Sequence, residues 1–538
     1  MRVEFRTASS MASNVLPWAV DTDDASVGQS TINENAGTSR AMLSPRSAAG
    51  SVARTSPKDI DAQQSEERLL SDLAAADSSA DTSAAVLVAL RLLNHYRSHC
   101  KGDSPGADSI ESKAAQLIQQ HLMRMVEHNP QQHSHVLIEI AMFWVALGRL
   151  QKAEPLFLRA LQLDETVAGR ESQISSTLLN LAAVYQSQQR YAEAEKLHER
   201  HVALQEDLHG KKHADVATAV AGLAYVHFLQ GRADERKALH YDRSELLQER
   251  ALAIREEVLG EKHPDVARSL TDLGLLYEAQ HRYDKAEPAL ERALKLREYV
   301  LPARHADVAA SLTNLGNLYE VQGRYSAAEP LLQQALEIRE AVFGQTHSHV
   351  AAALNNLALV YRAQQQYDKA TPLFERAMHI ETQTLKPTDP NLSIVFSNLA
   401  GIYKAKQLYD EAEPLYKKAL ALREAAYGED HPDVAASINN LAALQFARKD
   451  YKVAEELHTR ALNIRERLLE PNNPDVAISL NNLASVYECQ KRYEEAGPMY
   501  ERALRILEAA LPAQHPHVTA VRANVDRMQK IRRDCIIQ

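Results

Sequence analysis

Cysteine is almost missing from this chain: Cys100, Cys489 and Cys535 are the only three in 538 residues. They are far apart and odd in number, so neither a disulfide framework nor a zinc-ligand spacing can be drawn through them. A reducing compartment, the cytoplasm, is the expected setting. Gly (18) and Pro (20) are sparse for this length, which argues against a turn-dense all-β fold. Excess positive charge is also missing. The formal net charge is −10, so the Lys and Arg surplus behind broad nucleic-acid binding is not there. No apolar run reaches transmembrane length. The start, Met1-Arg2-Val3-Glu4, has no secretory apolar stretch; its plentiful Ser, Thr and Ala fit a transit peptide, but Glu4, Asp21, Asp23 and Asp24 count against one. Nucleophile elbows, phosphate loops, zinc-hydrolase helices and dinucleotide fingerprints are not found either. The expectation is therefore a non-enzyme without cofactor or metal.

What is abundant is repetition. Residues 1–64 are rich in Ser, Ala, Thr and Asp with no sustained period, and read as a disordered segment. Residues 65–135 read as a helical N-terminal region. From 136 to 511 one pattern returns. Tyr277, Tyr319, Tyr361 and Tyr403 are each 42 residues apart, and the same step reaches Gln445 and Tyr487. Upstream, Trp144, Tyr185 and His227 hold the same place. An insertion of eight residues, near Asp234 to Gln248, separates His227 from Tyr277. Nine units result, and a period kept this long means a solenoid. Residues 512–538 read as a closing helix and tail.

Each unit reads as two antiparallel helices. In the unit from Asp307 to Phe343, Leu312, Leu315 and Tyr319 form an apolar stripe on the first helix. Gly323-Arg324-Tyr325 is a tight turn. Ser326-x-x-Glu329 has the capping-box pattern for the second helix, as do Asp284-x-x-Glu287 and Asp410-x-x-Glu413. Gly344, Gly260 and Gly428 stand where second helices end. The expected fold class is all-α, a right-handed superhelical solenoid of about nine helix pairs.

Leu315-Gly316, Tyr319, Ala328 and Ala335 resemble the packing positions of the tetratricopeptide repeat family. The 42-residue length and the run His431-Pro432-Asp433-Val434-Ala435-x-Ser437-x-Asn439-Asn440-Leu441-Ala442 resemble the kinesin light chain-like branch of it. Kinesin light chains carry a long heptad segment before their repeats. Residues 1–135 show no sustained heptads, which points to an adaptor rather than a motor subunit. The resemblance implies that first helices line a concave groove that holds segments of partner proteins.

An asparagine recurs on those helices: Asn180, Asn314, Asn356, Asn398, Asn440 and Asn482, with Asp272 in the same place. An amide donates and accepts, so it can clamp the backbone of an extended peptide or tie one repeat to the next. Both readings stand on the sequence alone. Asn317, Asn355, Asn439 and Asn481 are expected on the same face, as are Glu320, Phe446 and Glu488. Arg362 and Lys404 make the middle of the groove basic, with Glu278, Glu320 and Glu488 as acidic flanks. An acidic or C-terminal peptide is the expected ligand, against the plain alternative of a solvated helix face.

Two further features need a reading. His263, His305, His347, His431 and His515 recur in the loops between units. Stacked repeats hold such residues about 10 Å apart, one helix-packing distance, too far to share an ion. They are read as helix caps. The final Cys535-Ile536-Ile537-Gln538 matches a prenylation box, with Arg527, Lys530, Arg532 and Arg533 upstream. Lipidation of Cys535 would add membrane association to an otherwise cytoplasmic protein. An enzyme or enzyme regulator built on the region before 136 is the distant alternative.

Overall fold

The computed structural model describes Val126 and residues 134–233, 237–511 and 516–537, with backbone alone at 233, 237, 516 and 532–537. The sequence readings for residues 1–125 lie outside the described residues, as does His515. Among the described residues there are nineteen helices and no strand. They form nine consecutive antiparallel pairs and one last helix. The chain divides into two compact units between Val300 and Leu301.

The unit ending at Val300 holds four pairs: α1 (Ser134–Ala146) with α2 (Leu150–Asp164), α3 (Glu171–Ser187) with α4 (Tyr191–His209), α5 (Ala214–Ala233) with α6 (Lys237–Leu259), and α7 (Pro264–Ala279) with α8 (Tyr283–Val300). The extra residues of the third pair are largely absorbed by helix lengthening, since α6 runs 23 residues. The unit beginning at Leu301 holds five pairs: α9 (Ala306–Val321) with α10 (Tyr325–Phe343), α11 (Ser348–Ala363) with α12 (Tyr367–Thr384), α13 (Leu392–Ala405) with α14 (Tyr409–Tyr427), α15 (Pro432–Ala447) with α16 (Tyr451–Leu468), and α17 (Pro474–Cys489) with α18 (Tyr493–Ala510). Helix α19 (Pro516–Ile537) packs against α18.

Small residues set the helix spacing. Ala328 and Ala335 are fully buried between helices. At Gly316 a Cβ would come within 2.8 Å of Leu332, and at Gly274 within 2.6 Å of Leu290, so a side chain there would push the two helices of a pair apart. Within each unit, each second helix packs on the next first helix, and first helices also touch across pairs: α9 with α11, α13 with α15, α15 with α17, and separately α1 with α3. First helices therefore come together on one side of the pairs where these contacts are made.

In every pair but the third, whose turn lies outside the described residues, the turn between the two helices is a repeated Schellman-type closure. The N–H of Arg324 donates to the Tyr319 carbonyl at 2.8 Å, and Arg190, Arg282, Gln366, Leu408, Asp450 and Arg492 repeat that bond. The residue before each sits at positive φ. It is Gly323 in one pair, but Gln189, His281, Gln365, Gln407, Lys449 and Lys491 in others. This closure leads straight into the second helix, which corrects the expected capping boxes. α10 starts at Tyr325, its cap residue is Arg324, and no side chain caps it. The same holds for α14, where Leu408 precedes the helix. Gly344 and Gly428 do end second helices, at φ 79° and 80°.

Candidate functional site

The loop histidines are caps. The Nδ1 atoms of His263, His305, His347 and His431 accept the backbone N–H two residues on, at 3.1–3.2 Å. This fixes each neutral ring as the Nε2–H tautomer and satisfies a backbone donor that the helix start leaves open. Asn473 does the same for Asp475 at 2.9 Å.

The asparagines divide into two sets. Asn355, Asn356, Asn398, Asn439, Asn440, Asn481 and Asn482 are all half-buried on first helices of the unit after Leu301. Asn398 Nδ2 donates to Asn355 Oδ1 at 2.8 Å, Asn482 to Asn439 at 3.2 Å, and Asn524 to Asn481 at 2.9 Å. The step is 43 residues, one repeat plus one. These are rungs between neighbouring pairs, so for Asn355, Asn398, Asn439, Asn481 and Asn482 the repeat-tying use is the one observed. Asn439 Oδ1 also meets His458 Nδ1 at 2.7 Å. Burial, then Arg465 and Lys404, drive the His458 pKa down to about 3, so the ring is neutral and its Nδ1–H is the donor.

A rung forms only where an asparagine stands 43 residues earlier. Thr313 occupies that place for Asn356, and its hydroxyl donates back to the Ala309 carbonyl at 2.8 Å. Asn356 Nδ2 is left buried without a partner. Ser397 occupies it for Asn440, and the Ser397 hydroxyl is also buried and unpartnered. Among the described residues no side-chain hydrogen bond holds Asn314, Asn317 or Asn440.

The charges sort in the same way. The Glu488 carboxylate is taken by Arg527 at 2.7 Å and by the Tyr500 hydroxyl at 2.8 Å. Burial opposes its ionisation, but those two bonds win and hold its pKa below the ordinary range. Glu488 is thus not an open acidic flank. Arg362, near the end of α11, is half-buried and has no hydrogen bond or ion pair among the described residues. Burial lowers its pKa, and Tyr416, Glu320 and Tyr367 oppose that without reversing it. Lys404 has interactions of its own and sits near enough to His458 to depress that ring further. Asn180 and Asp272 lie in the other unit. There Asp272 is half-buried with its Oδ2 sheltered and unpartnered, and burial lifts its pKa to about 6.

A buried arginine row escaped sequence reasoning. Arg255, Arg339, Arg423 and Arg465 are buried at one position of the second helices α6, α10, α14 and α16, and Arg297 holds that position half-buried in α8. Arg423 bonds Ser393 at 2.8 Å in its own pair, and Ser437 at 2.9 Å and the Asp433 carbonyl at 3.0 Å in the next. Arg465 repeats this with Ser479 and Asp475, and Arg255 with Ser269. The signal was an apolar-Arg-Glu triplet, followed 14 residues on by a serine for Arg255, Arg423 and Arg465 but by Ala353 for Arg339, which bonds the His349 carbonyl instead. Glu381 takes the arginine's place in α12, and burial, aided by Asp389, raises its pKa to about 7.

No helix among the described residues is long and apolar enough to cross a membrane. The side chain of Cys535 lies outside the described residues.

The tetratricopeptide repeat family matches at residues 173–235, 236–298, 307–382, 391–467 and 436–509. No curated protein matches. Among solved structures, the chain is 27% identical to BtubC (BKLC) from P. vanneervenii, over 44% of this chain and 93% of that one, with a TM-score of 0.36. It is 25% identical to a Podosopora anserina protein with nearly identical kinesin light chain TPR-like repeats, over 39% of this chain and 99% of that one, with a TM-score of 0.34. Aspartyl phosphate phosphatase F from Bacillus subtilis is 15% identical over 71% of this chain and 94% of that one, with a TM-score of 0.45. With matches along most of the helical array, and with the alanine, glycine and tyrosine packing described above, the chain belongs to the tetratricopeptide repeat family.

Proposed function

We propose that this chain is a non-catalytic adaptor whose first-helix face holds an extended, acidic segment of a partner protein, with a carboxylate seated on Arg362. One observation carries the reading: a half-buried guanidinium that makes no hydrogen bond or ion pair among the described residues, with Glu320 acting on it only from a distance. Withdrawing a cation from water costs several kcal/mol unless an anion and hydrogen bonds compensate. A carboxylate supplies both, in the two-pronged geometry that guanidinium favours. Asn356 and Asn440, which have no rung, offer amides to the peptide backbone, and Asn314 and Asn317 extend the row. Binding is expected near micromolar, on the order of −8 kcal/mol, because a flexible ligand must be ordered.

The two sets of asparagines supply the test. Asn356→Ala with Asn440→Ala should weaken capture of an acidic peptide selected on the wild type and leave thermal stability unchanged. Asn398→Ala should lower stability by about 1 kcal/mol, the net worth of one hydrogen bond, and weaken capture far less. Equal loss of capture in both would reject the assignment. The adaptor is expected to be cytoplasmic. Tethering through a farnesylated Cys535 is the second reading. It rests on the terminal box and the basic residues before it, and a farnesyl mass on Cys535 in protein from native cells decides it.

A further inference from the structure

The loop between α4 and α5 carries a separate constellation. Elsewhere in the array, the residue ending a second helix lays its ring on the capping histidine four residues on. Phe343 stacks on His347 at 4.9 Å, and Tyr427 on His431 at 4.4 Å. In this loop the stacking ring is itself an imidazole: His209 lies on His213 at 4.4 Å. Asp215 closes the third side. Its Oδ2 is 3.8 Å from His209 Nε2 and 3.4 Å from His213 Nδ1. One donor atom from each residue lies within 4.8 Å of the other two. The comparison of loop histidines across repeats missed this group, because these two rings belong to one loop.

We propose that His209, His213 and Asp215 bind a divalent transition ion of the zinc class, with water completing the shell. Two imidazoles and one carboxylate are a donor set such ions accept, while calcium and magnesium favour all-oxygen sites. Bonds of about 2.0–2.1 Å at tetrahedral angles put donor atoms roughly 3.3 Å apart, so the two separations to Asp215 need to close by about half an ångström or less, and the two imidazole nitrogens, within 4.8 Å of each other, close the remaining gap as one ring turns. Two local interactions must yield. The rings are 17° from parallel, and a lone pair lies in its ring plane, so one imidazole turns out of the stack. Both histidines and Asp215 are partly or fully exposed, which leaves room for that turn. His213 Nδ1 also accepts the Asp215 N–H at 3.3 Å, a long bond that the ion replaces. The neighbouring cation Lys212 is held by Glu257 at 2.6 Å. Affinity is therefore micromolar rather than structural in strength. The bound ion clasps the last turn of α4 to the first turn of α5, locking the second pair to the third.

The array itself supplies the control variants. His209→Phe keeps the ring stack that Phe343 makes, and His213→Asn keeps the cap that Asn473 makes. Zinc is titrated into metal-free full-length protein by calorimetry, and cobalt(II) by its visible ligand-field absorption. The wild type is expected to bind one zinc ion at micromolar concentration. Each variant should lose that binding at least tenfold while its far-UV spectrum and melting temperature without metal match the wild type. Excess zinc should raise the melting temperature of the wild type alone. Zinc binding of the same strength and number in both variants would overturn the site, as would a wild type that binds no zinc below millimolar. In either case the pair is an aromatic stack and nothing more.

Discussion

Replacing Arg423 with Met asks whether the buried arginine row holds the repeats together. The guanidinium makes three hydrogen bonds, at 2.8, 2.9 and 3.0 Å, to Ser393, Ser437 and the Asp433 carbonyl. Hydrogen bonds to a charged group are each worth about 1.5–3 kcal/mol. Against that stands the desolvation of a cation that is only 4% exposed, a penalty of several kcal/mol. Met keeps the apolar stem and removes the penalty. It also takes from the Asp433 carbonyl its second partner, beside its own helix bond, and leaves the two serine hydroxyls to turn back onto their own helices. The balance favours the arginine, with a loss of about 2–3 kcal/mol on Arg423→Met. In a repeat array such a loss is local to one junction. Urea denaturation should give the total, and hydrogen exchange should show faster opening of 392–447 than of 474–510. Unchanged or increased stability would mean that desolvation outweighs the bonds, and would refute the reasoning.

Three other outcomes follow from single positions. Gly316→Ala gains about 1 kcal/mol of helix propensity but drives a methyl to within 2.8 Å of Leu332. Overpacking costs about 1–3 kcal/mol, so a net loss near 1 kcal/mol is expected in a thermal melt. Lys449 sits at φ 68° in its turn, so Lys449→Gly should stabilise the chain by up to about 1 kcal/mol; a loss in the same melt would contradict it. Glu381 has its folded pKa raised to about 7 from 4.5. The folded state then binds more protons than the unfolded one between those values, so this group weakens the fold as pH rises from about 4.5 to 7. Discounted for partial exposure, the effect is on the order of 1–2 kcal/mol. Glu381→Gln should therefore be more stable than wild type at pH 8 and equal to it near pH 4, by urea denaturation at both.

The fold was legible because one period governs everything: Tyr277, Tyr319 and Tyr361 mark the pairs, and Gly316 and Ala328 mark close contact. Helix starts were less legible. Ser326-x-x-Glu329 has the letters of a capping box, yet the turn closed by Arg324 N–H on Tyr319 has already begun the helix. The turns hid as well, since Gln365, Gln407 and Lys449 adopt a conformation that Gly148 and Gly323 alone advertise among the described turns. The site was half legible. Amides on the inner face were visible, but whether one ties repeats depends on the residue 43 positions earlier, asparagine for Asn398 and threonine for Asn356. The arginine row stayed hidden because arginine is ordinarily a surface residue, and its serine partners belong to another helix.

Arg362 is the direct test of peptide capture. A random peptide library displayed on phage is selected against the wild-type chain and against Arg362→Glu, with binding of the winning peptides measured by fluorescence anisotropy. The account predicts that the wild type selects peptides rich in Asp and Glu, and that Arg362→Glu weakens those peptides at least tenfold with its melting temperature preserved. Winners without acidic bias, or acidic winners that bind Arg362→Glu equally well, would contradict it.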